Sequence, residues 1–282
     1  MSGLLTEMAQ TSLARLEAAR EHETEQALWS RVVDMPPAPR LVLSSEGFDL
    51  IAECKLHSPS AGDLSANTTD VESRVAAYAL GGAAAVSVLT EPKRFGGSLA
   101  HLAQAARVLA PLDVPVMRKD FLVDPYQVME GRAAGAGGVL VIVRMLDPGR
   151  ITEMLDCAAM LKMFVLVEAF DAADLAVTKE ILKTRQGRDE QLLIGVNCRD
   201  LEKLSVDLAR LGEVADLLPH GYPKVAESGV ANADDVRRIV DQGYTMALVG
   251  SSLMNSDRPR ELASELLVAG RERAIARRAN RS

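Results

Sequence analysis

In the stretch IAECK, from Ile51 to Lys55, an apolar strand ends in two charges. Side chains on a strand alternate between its faces, so Ile51, Glu53 and Lys55 share one face. Alone, that pair reads as a solvated strand end carrying an ordinary surface ion pair. Four other stretches make the same change: Met117 to Lys119, Leu166 to Glu168, Gly195 to Asn197 with Arg199 just beyond, and Val225 to Glu227. If the five ends meet, three carboxylates and two or three cations stand where water is partly excluded, which is costly unless they pair or do chemistry. Such a cluster suits acid-base work on a small anion. A lysine beside carboxylates can give a proton, and a carboxylate beside lysine can be tuned to accept one.

Two further stretches, ESGVANADD and VGSSLM, suggest where a phosphate would sit. Gly229 and Gly250 allow close backbone approach, and Ser228, Ser251 and Ser252 carry hydroxyl donors. Each glycine alone reads as a simple turn; their matching places after two late strands favour phosphate. No rival chemistry is built elsewhere. His22 and His101 fall in helical runs, His220 in a turn, and His57 in the first loop as a solvated residue, so no metal pair forms. There is no Gly-x-Ser-x-Gly elbow, Walker loop or dinucleotide fingerprint.

The elements that must position these residues alternate from Phe48 onward. Eight strand-like runs, FDLIAECK, AAVSVLT, PVMRKD, GVLVIV, FVLVEA, LLIGVN, PKVAES and MALVGSS, are each followed by a helical run. The helix start signals are Thr69-Asp70, Ser98, Asp124-Pro125, Asp147-Pro148, Asp171, Asp207, Asn232 and Asp257, and stops stand at Gly81-Gly82, Gly135 and Gly243. Eight units predict an α/β fold, a single closed (β/α)8 barrel, because closure removes exposed edge strands and puts the loops after the strands at one mouth. The expected division is an N-terminal helical extension over 1–40, interrupted by MPPAPR, and a barrel catalytic domain over 41–282. Trp29 in the extension reads as a packing residue.

Composition sets the outer bounds. Of 282 residues, 48% are hydrophobic and 25% charged, which fits a globular chain with a sizeable core. The net charge of -7, with no basic block before the tail RERAIARRANRS, gives no reason to expect nucleic acid, and that tail reads as a frayed terminal helix. The apolar runs are too short or too rich in Gly and Ala to span a bilayer, and MSGLLTEMAQ is unlike a secretory leader, so no membrane partner and a cytoplasmic location are expected. Cys54, Cys157 and Cys198, without CxxC spacing, read as reduced buried thiols.

IAECK followed by SPS, SVLTEPKRFGGS, RKDFLVDPYQV, LVEAF, GVNCRDL, AESGV and LVGSSLM, in that order, resemble indole-3-glycerol phosphate synthase of tryptophan biosynthesis, from about Leu41 to the last helix. The resemblance implies a (β/α)8 barrel with an N-terminal helical extension, acting without metal or organic cofactor. It implies a phosphorylated anionic substrate, 1-(2-carboxyphenylamino)-1-deoxyribulose 5-phosphate, whose ring closes with loss of carbon dioxide and then water. Carried over by position, Lys119 would be the general acid and Glu168 the acid-base group of dehydration. Lys55 would contact the substrate and its phosphate and share the proton chemistry, and Glu53 would hold a reacting hydroxyl and tune Lys55. Asn197, Arg199, Glu227 and Ser228 would position the intermediate, with Ser58, Gly229, Gly250 and Ser251 around substrate or phosphate.

The chain departs from the family pattern at Leu56 and Ala61, where a basic residue is usual. A partly solvated charge near a phosphate contributes about 1 kcal/mol, or up to about tenfold in affinity, so weaker capture with intact chemistry is expected. Other readings stay open here: a paralogue acting on a substituted ring met by Leu56 or His57, a phosphosugar isomerase on the same barrel, and a non-catalytic scaffold. Monomer and homodimer are equally compatible with the sequence.

Overall fold

The computed structural model describes residues 3–58, 62–63, 70–200 and 205–280. Eight parallel strands close into a barrel in chain order: β1 (Asp49–Cys54), β2 (Ala85–Leu89), β3 (Val116–Lys119), β4 (Gly138–Ile142), β5 (Phe164–Ala169), β6 (Leu192–Asn197), β7 (Lys224–Glu227) and β8 (Met246–Val249). Each strand pairs with the next, and β8 pairs with β1. Every residue of β1, β2, β4, β5 and β8 is buried. A strand covered by helices on one side and by the barrel interior on the other must be apolar on both faces, which is why these runs read as near-continuous Val, Leu, Ile and Ala.

The helices start where side chains can satisfy their first N–H groups. Asp70, Ser98, Asp124, Asp147, Asp171 and Asn232 are all N-caps accepting from first-turn backbone N–H groups. Each such cap contributes about 1 kcal/mol. Thr69, named with Asp70 as a start signal, lies outside the described residues. Two starts differ from expectation. Leu208, not Asp207, caps the helix Ala209–Val214, although Asp207 Oδ1 accepts from the Ala209 N–H at 2.9 Å. After β8 a short helix Ser251–Asn255 comes first, and the long last helix begins at Pro259 rather than after a cap by Asp257. Proline's fixed φ and missing N–H suit a first helical position.

Over its described residues the basic tail is not frayed. The last helix, Pro259–Ala279, runs through it, and its arginines bind the strand-start end of the barrel: Arg271 to Glu46 and Asp49, Arg273 to Asp241 at 2.7 Å, and Arg278 to the Ser45 and Glu46 carbonyls. No helix among the described residues is long and apolar enough to cross a membrane. The three cysteines are buried and unbonded to one another; burial pushes the Cys54 and Cys157 thiols up to about 12.

The N-terminal segment forms α1 (Gly3–His22) and α2 (Glu25–Val33). Their placement, open in the sequence, is at the mouth and beside it. Arg15 on α1 makes a two-pronged bond to Asp120 just past β3, both contacts 2.8 Å, and Arg20 reaches Asp124 at 2.9 Å. Gln127 donates to the Ser12 hydroxyl. α2 packs on the helix Pro125–Ala133, and Trp29 packs against the core.

Candidate active site

The alternation of β3 settles which of its charges face where. Arg118 and Asp120 turn outward under the helices, while Lys119 turns into the barrel mouth. There Lys119 Nζ stands 3.0 Å from Glu227 Oε2, 3.5 Å from Glu168 Oε2 and 3.8 Å from Glu53 Oε2. Glu53 uses its other oxygen for Lys55, at 2.6 Å. Strands one, three, five and seven thus bring five charged side chains into one cluster, and strand six supplies the amide between them. Register makes this possible: Glu168 is level with Gly195, and Asn197 with Glu227.

Asn197 is fixed in orientation by what reaches its carbonyl oxygen. Ser228 Oγ donates to it at 2.9 Å and the Arg199 N–H at 3.0 Å, so its amide N–H is left for Glu168 Oε1, at 3.3 Å. Ser228 holds φ at +71° and Gly229 follows at +79°. A non-glycine residue in that left-handed region is uncommon and is kept only where surroundings enforce it. Here it aims the serine hydroxyl at Asn197.

Two glycines make room for carboxylates. A Cβ on Gly195 would stand 2.1 Å from Glu227 Oε1, and one on Gly250 would stand 2.3 Å from Glu53 Oε1 and 2.9 Å from Lys55 Nζ. Any side chain at either position would expel the charge beside it. Gly250 was expected near phosphate; its contact with the Glu53–Lys55 pair is an additional constraint. Gly195 was noted only as a small residue on the inward face, and no spacing signal marks its role.

Electrostatics divides the carboxylates. Burial opposes ionisation of Glu53, but Lys55 and Lys119 outweigh it and hold this carboxyl below its ordinary value. Glu227 goes the other way: burial and the Glu168 charge push it well above the usual range despite Lys119. Burial also disfavours the Lys119 ammonium, yet the Glu227, Glu168 and Glu53 carboxylates overcome this and raise its pKa. Lys119 is therefore a charged proton donor throughout the neutral range.

A cavity of about 310 Å³ opens on this cluster. It is lined by all five charged residues, by Asn197, Arg199 and Ser228, and on the late-strand side by Gly229, Gly250 and Ser251. Of the residues expected here, Ser58 lies in a two-residue strand, and its side chain, like Ala61, is outside the described part. Leu56 is half-buried against the core and His57 is exposed; neither lines the cavity.

Sequence reasoning missed the cavity's apolar half. Phe95, Phe121 and Phe170 line it, together with Leu4 and Leu5 from α1. The Phe95 and Phe121 rings are 6.1 Å apart, and the Arg144 guanidinium lies 4.5 Å over Phe170. A signal existed for two of them, since Phe121 and Phe170 each follow a site residue by two positions. Nothing in the sequence points to Leu4 and Leu5.

A family model described as indole-3-glycerol phosphate synthase matches residues 5–266. Relatives of that name include one from a Parafrankia species, 41% identical over 90% of this chain and 91% of its own length, and one from a Nocardioides species, 42% identical over 88% and 87%. Among solved structures, a thiamine phosphate pyrophosphorylase from Pyrococcus furiosus covers 81% of this chain and 97% of its own at a TM-score of 0.58. A 3-hexulose-6-phosphate synthase covers 79% and 99%, also at 0.58. At 16% and 17% identity those two share the barrel alone. With the family model spanning nearly its whole length and relatives near 40% identity, the chain belongs to the indole-3-glycerol phosphate synthase family.

Proposed function

We propose that this chain is a carboxy-lyase that converts 1-(2-carboxyphenylamino)-1-deoxyribulose 5-phosphate to indole-3-glycerol phosphate, carbon dioxide and water. The observation that carries this reading is the single Lys119 ammonium held among three carboxylates at the floor of a cavity that is apolar on one side and hydroxyl- and glycine-lined on the other. The apolar side, with Phe95, Phe121 and Phe170, suits the aryl ring. The side formed by Gly229, Gly250 and Ser251, with Lys55 beside Gly250, suits the phosphate.

In this reading the ring carbon bearing the carboxylate attacks the ribulose carbonyl carbon, and Lys119 delivers a proton to the carbonyl oxygen as it becomes an alcohol. Loss of carbon dioxide restores the electrons of the ring. Departure of the hydroxyl then requires a proton on oxygen and removal of one from carbon, which Glu168 serves from beside Lys119. Glu53 holds a substrate hydroxyl and positions Lys55 toward the phosphate through their 2.6 Å contact. Asn197, Arg199, Glu227 and Ser228 fix the intermediate, and Ser58 is assigned to the substrate as well. The segment from Leu41 onward is the catalytic barrel, and α1 and α2 are an extension that contributes wall and anchorage.

Incubating the purified protein with this substrate should give indole absorbance and carbon dioxide in equal amounts. Absorbance without carbon dioxide would remove the carboxy-lyase assignment, and neither product would favour a scaffold. The readings based on Leu56 or His57 meeting a substituted ring lose support, because neither residue lines the cavity.

A further inference from the structure

The two oxygens of Glu227 are treated differently. Oε2 receives the Lys119 ammonium at 3.0 Å, but among the described residues no N–H or O–H reaches the buried Oε1. Both oxygens of its neighbour Glu168 have partners: Oε1 accepts from Asn197, and Oε2 is ion-paired with Lys119 Nζ at 3.5 Å. Glu227 Oε1 lies against bare Gly195 of β6, Gly195 is level with Glu168 of β5, and the Oε2 atoms of both carboxyls stand against the same Lys119 Nζ, so the two groups are neighbours. Two ionised carboxylates facing each other have nothing to donate, and a buried acceptor without a donor costs about 1–3 kcal/mol. One proton cures both faults.

We propose that Glu168 and Glu227 hold a single proton between them in the resting protein, resident on Glu227, so that the two act as one acid-base unit. Every group facing Glu227 bears on this. From β1 come Glu53 and Lys55, paired with each other; from β3 comes Lys119; from β5 Glu168; from β6 Asn197 with Arg199 beyond; and β8 presents apolar Leu248, level with Glu227, with Gly250 after it. Burial and the adjacent Glu168 charge act in the same direction on the Glu227 carboxyl.

The inference rests on the reaction proposed above and adds a proton count to it. In the dehydration, Glu168 takes a proton from the substrate carbon. The O–H bond of Glu227 breaks, its proton joins the departing hydroxyl, and the C–O bond breaks to release water. The unit carries one proton before and one after, now on Glu168, and transfer back to the neighbouring Glu227 restores the start.

The test is a carbon-13 NMR titration of protein labelled at the glutamate carboxyl carbon, beside E227Q and E168Q. The wild type should keep one glutamate carboxyl in the neutral form at pH 7, absent from E227Q. In E168Q its midpoint should fall by about one pH unit or more, since the like charge is gone. A wild-type spectrum with every glutamate ionised at pH 7, or a neutral signal that survives in E227Q, would overturn the proposal. If the signal is present but the wild type forms no indole, the proposed reaction fails and the shared proton stands. Catalytic use is read separately: the alkaline fall in the wild-type rate should be absent from the E227Q profile scaled to its own maximum, and an unchanged limb would contradict the proton's part in the reaction.

Discussion

Lys119 and Asp120 are neighbours in the chain and lie in two charge clusters of opposite design. Asp120 is saturated: Arg15 takes both oxygens at 2.8 Å, Thr90 donates at 2.7 Å, the Phe121 N–H at 2.8 Å and Arg118 at 3.3 Å. Burial opposes its charge, but these donors hold its carboxyl down to about 2. The Lys119 cluster instead lies at the cavity's charged wall, gathers three carboxylates around one lysine ammonium, and among the described residues leaves one buried oxygen without a donor. A closed ionic network fixes geometry; one left incomplete beside a cavity keeps protons available to a ligand. Asp120 thus ties α1 and β3 together at the spot where Lys119 must be held.

The contrast breaks most sharply by swapping which cluster is damaged. Lys119→Met should lower kcat by about 10²–10⁴-fold, the range of a general acid, with substrate binding still measurable by calorimetry. Undiminished turnover would place the proton donor elsewhere. Asp120→Asn should do the reverse in kind: it removes the carboxylate that Arg15 and Arg118 share, leaving Arg118 with Glu130 at 3.3 Å, and urea unfolding should show a loss of about 1.5–3 kcal/mol. A stability change below about 1 kcal/mol would mean the network is not the anchor inferred from its geometry.

The same contrast has a pH signature. A carboxyl whose folded pKa is depressed gives stability that is fully present above its unfolded value, near 3.8, and is lost as pH falls toward about 2. Wild-type stability should therefore drop across that window more steeply than that of Asp120→Asn, as followed by thermal melts. Parallel curves would show that Asp120 is not what titrates. The smallest effect is expected at the exposed edge of α1, where Glu7 pairs with Lys93 and Arg94 at 3.2 and 2.6 Å. Glu7→Gln should leave the melting temperature close to that of the wild type, since exposed pairs contribute little, and a fall as large as that of Asp120→Asn would contradict this.

The barrel and the charged half of the site were legible because both are written in local periodicity. Strand and helix alternate at short range, and a period of two carries the Ile51–Glu53–Lys55 and Met117–Lys119 faces to the same end. The closed network was harder to read. RKD reads as three charges in a row, and only the position of Arg15, 105 residues earlier, reveals Asp120 as an anchor. Leu4 and Leu5 were hidden for the same reason: a helix lying over the mouth contributes through tertiary contact, which no spacing records. The tail reads as a frayed helix end because Glu46, Asp49 and Asp241, which its arginines bind, are distant in sequence.

The central claim is that charges from strands one, three, five, six and seven act together on one small anion. It is tested most directly by a crystal structure with a substrate analogue whose ribulose carbonyl is reduced to an alcohol. The account predicts Lys119 Nζ at about 2.6–3.2 Å from that alcohol oxygen, the aryl ring against Phe95 and Phe121, and the phosphate at Gly229, Gly250 and Ser251. An analogue bound with its alcohol beyond reach of Lys119 and Glu168, or seated outside this mouth, would contradict it.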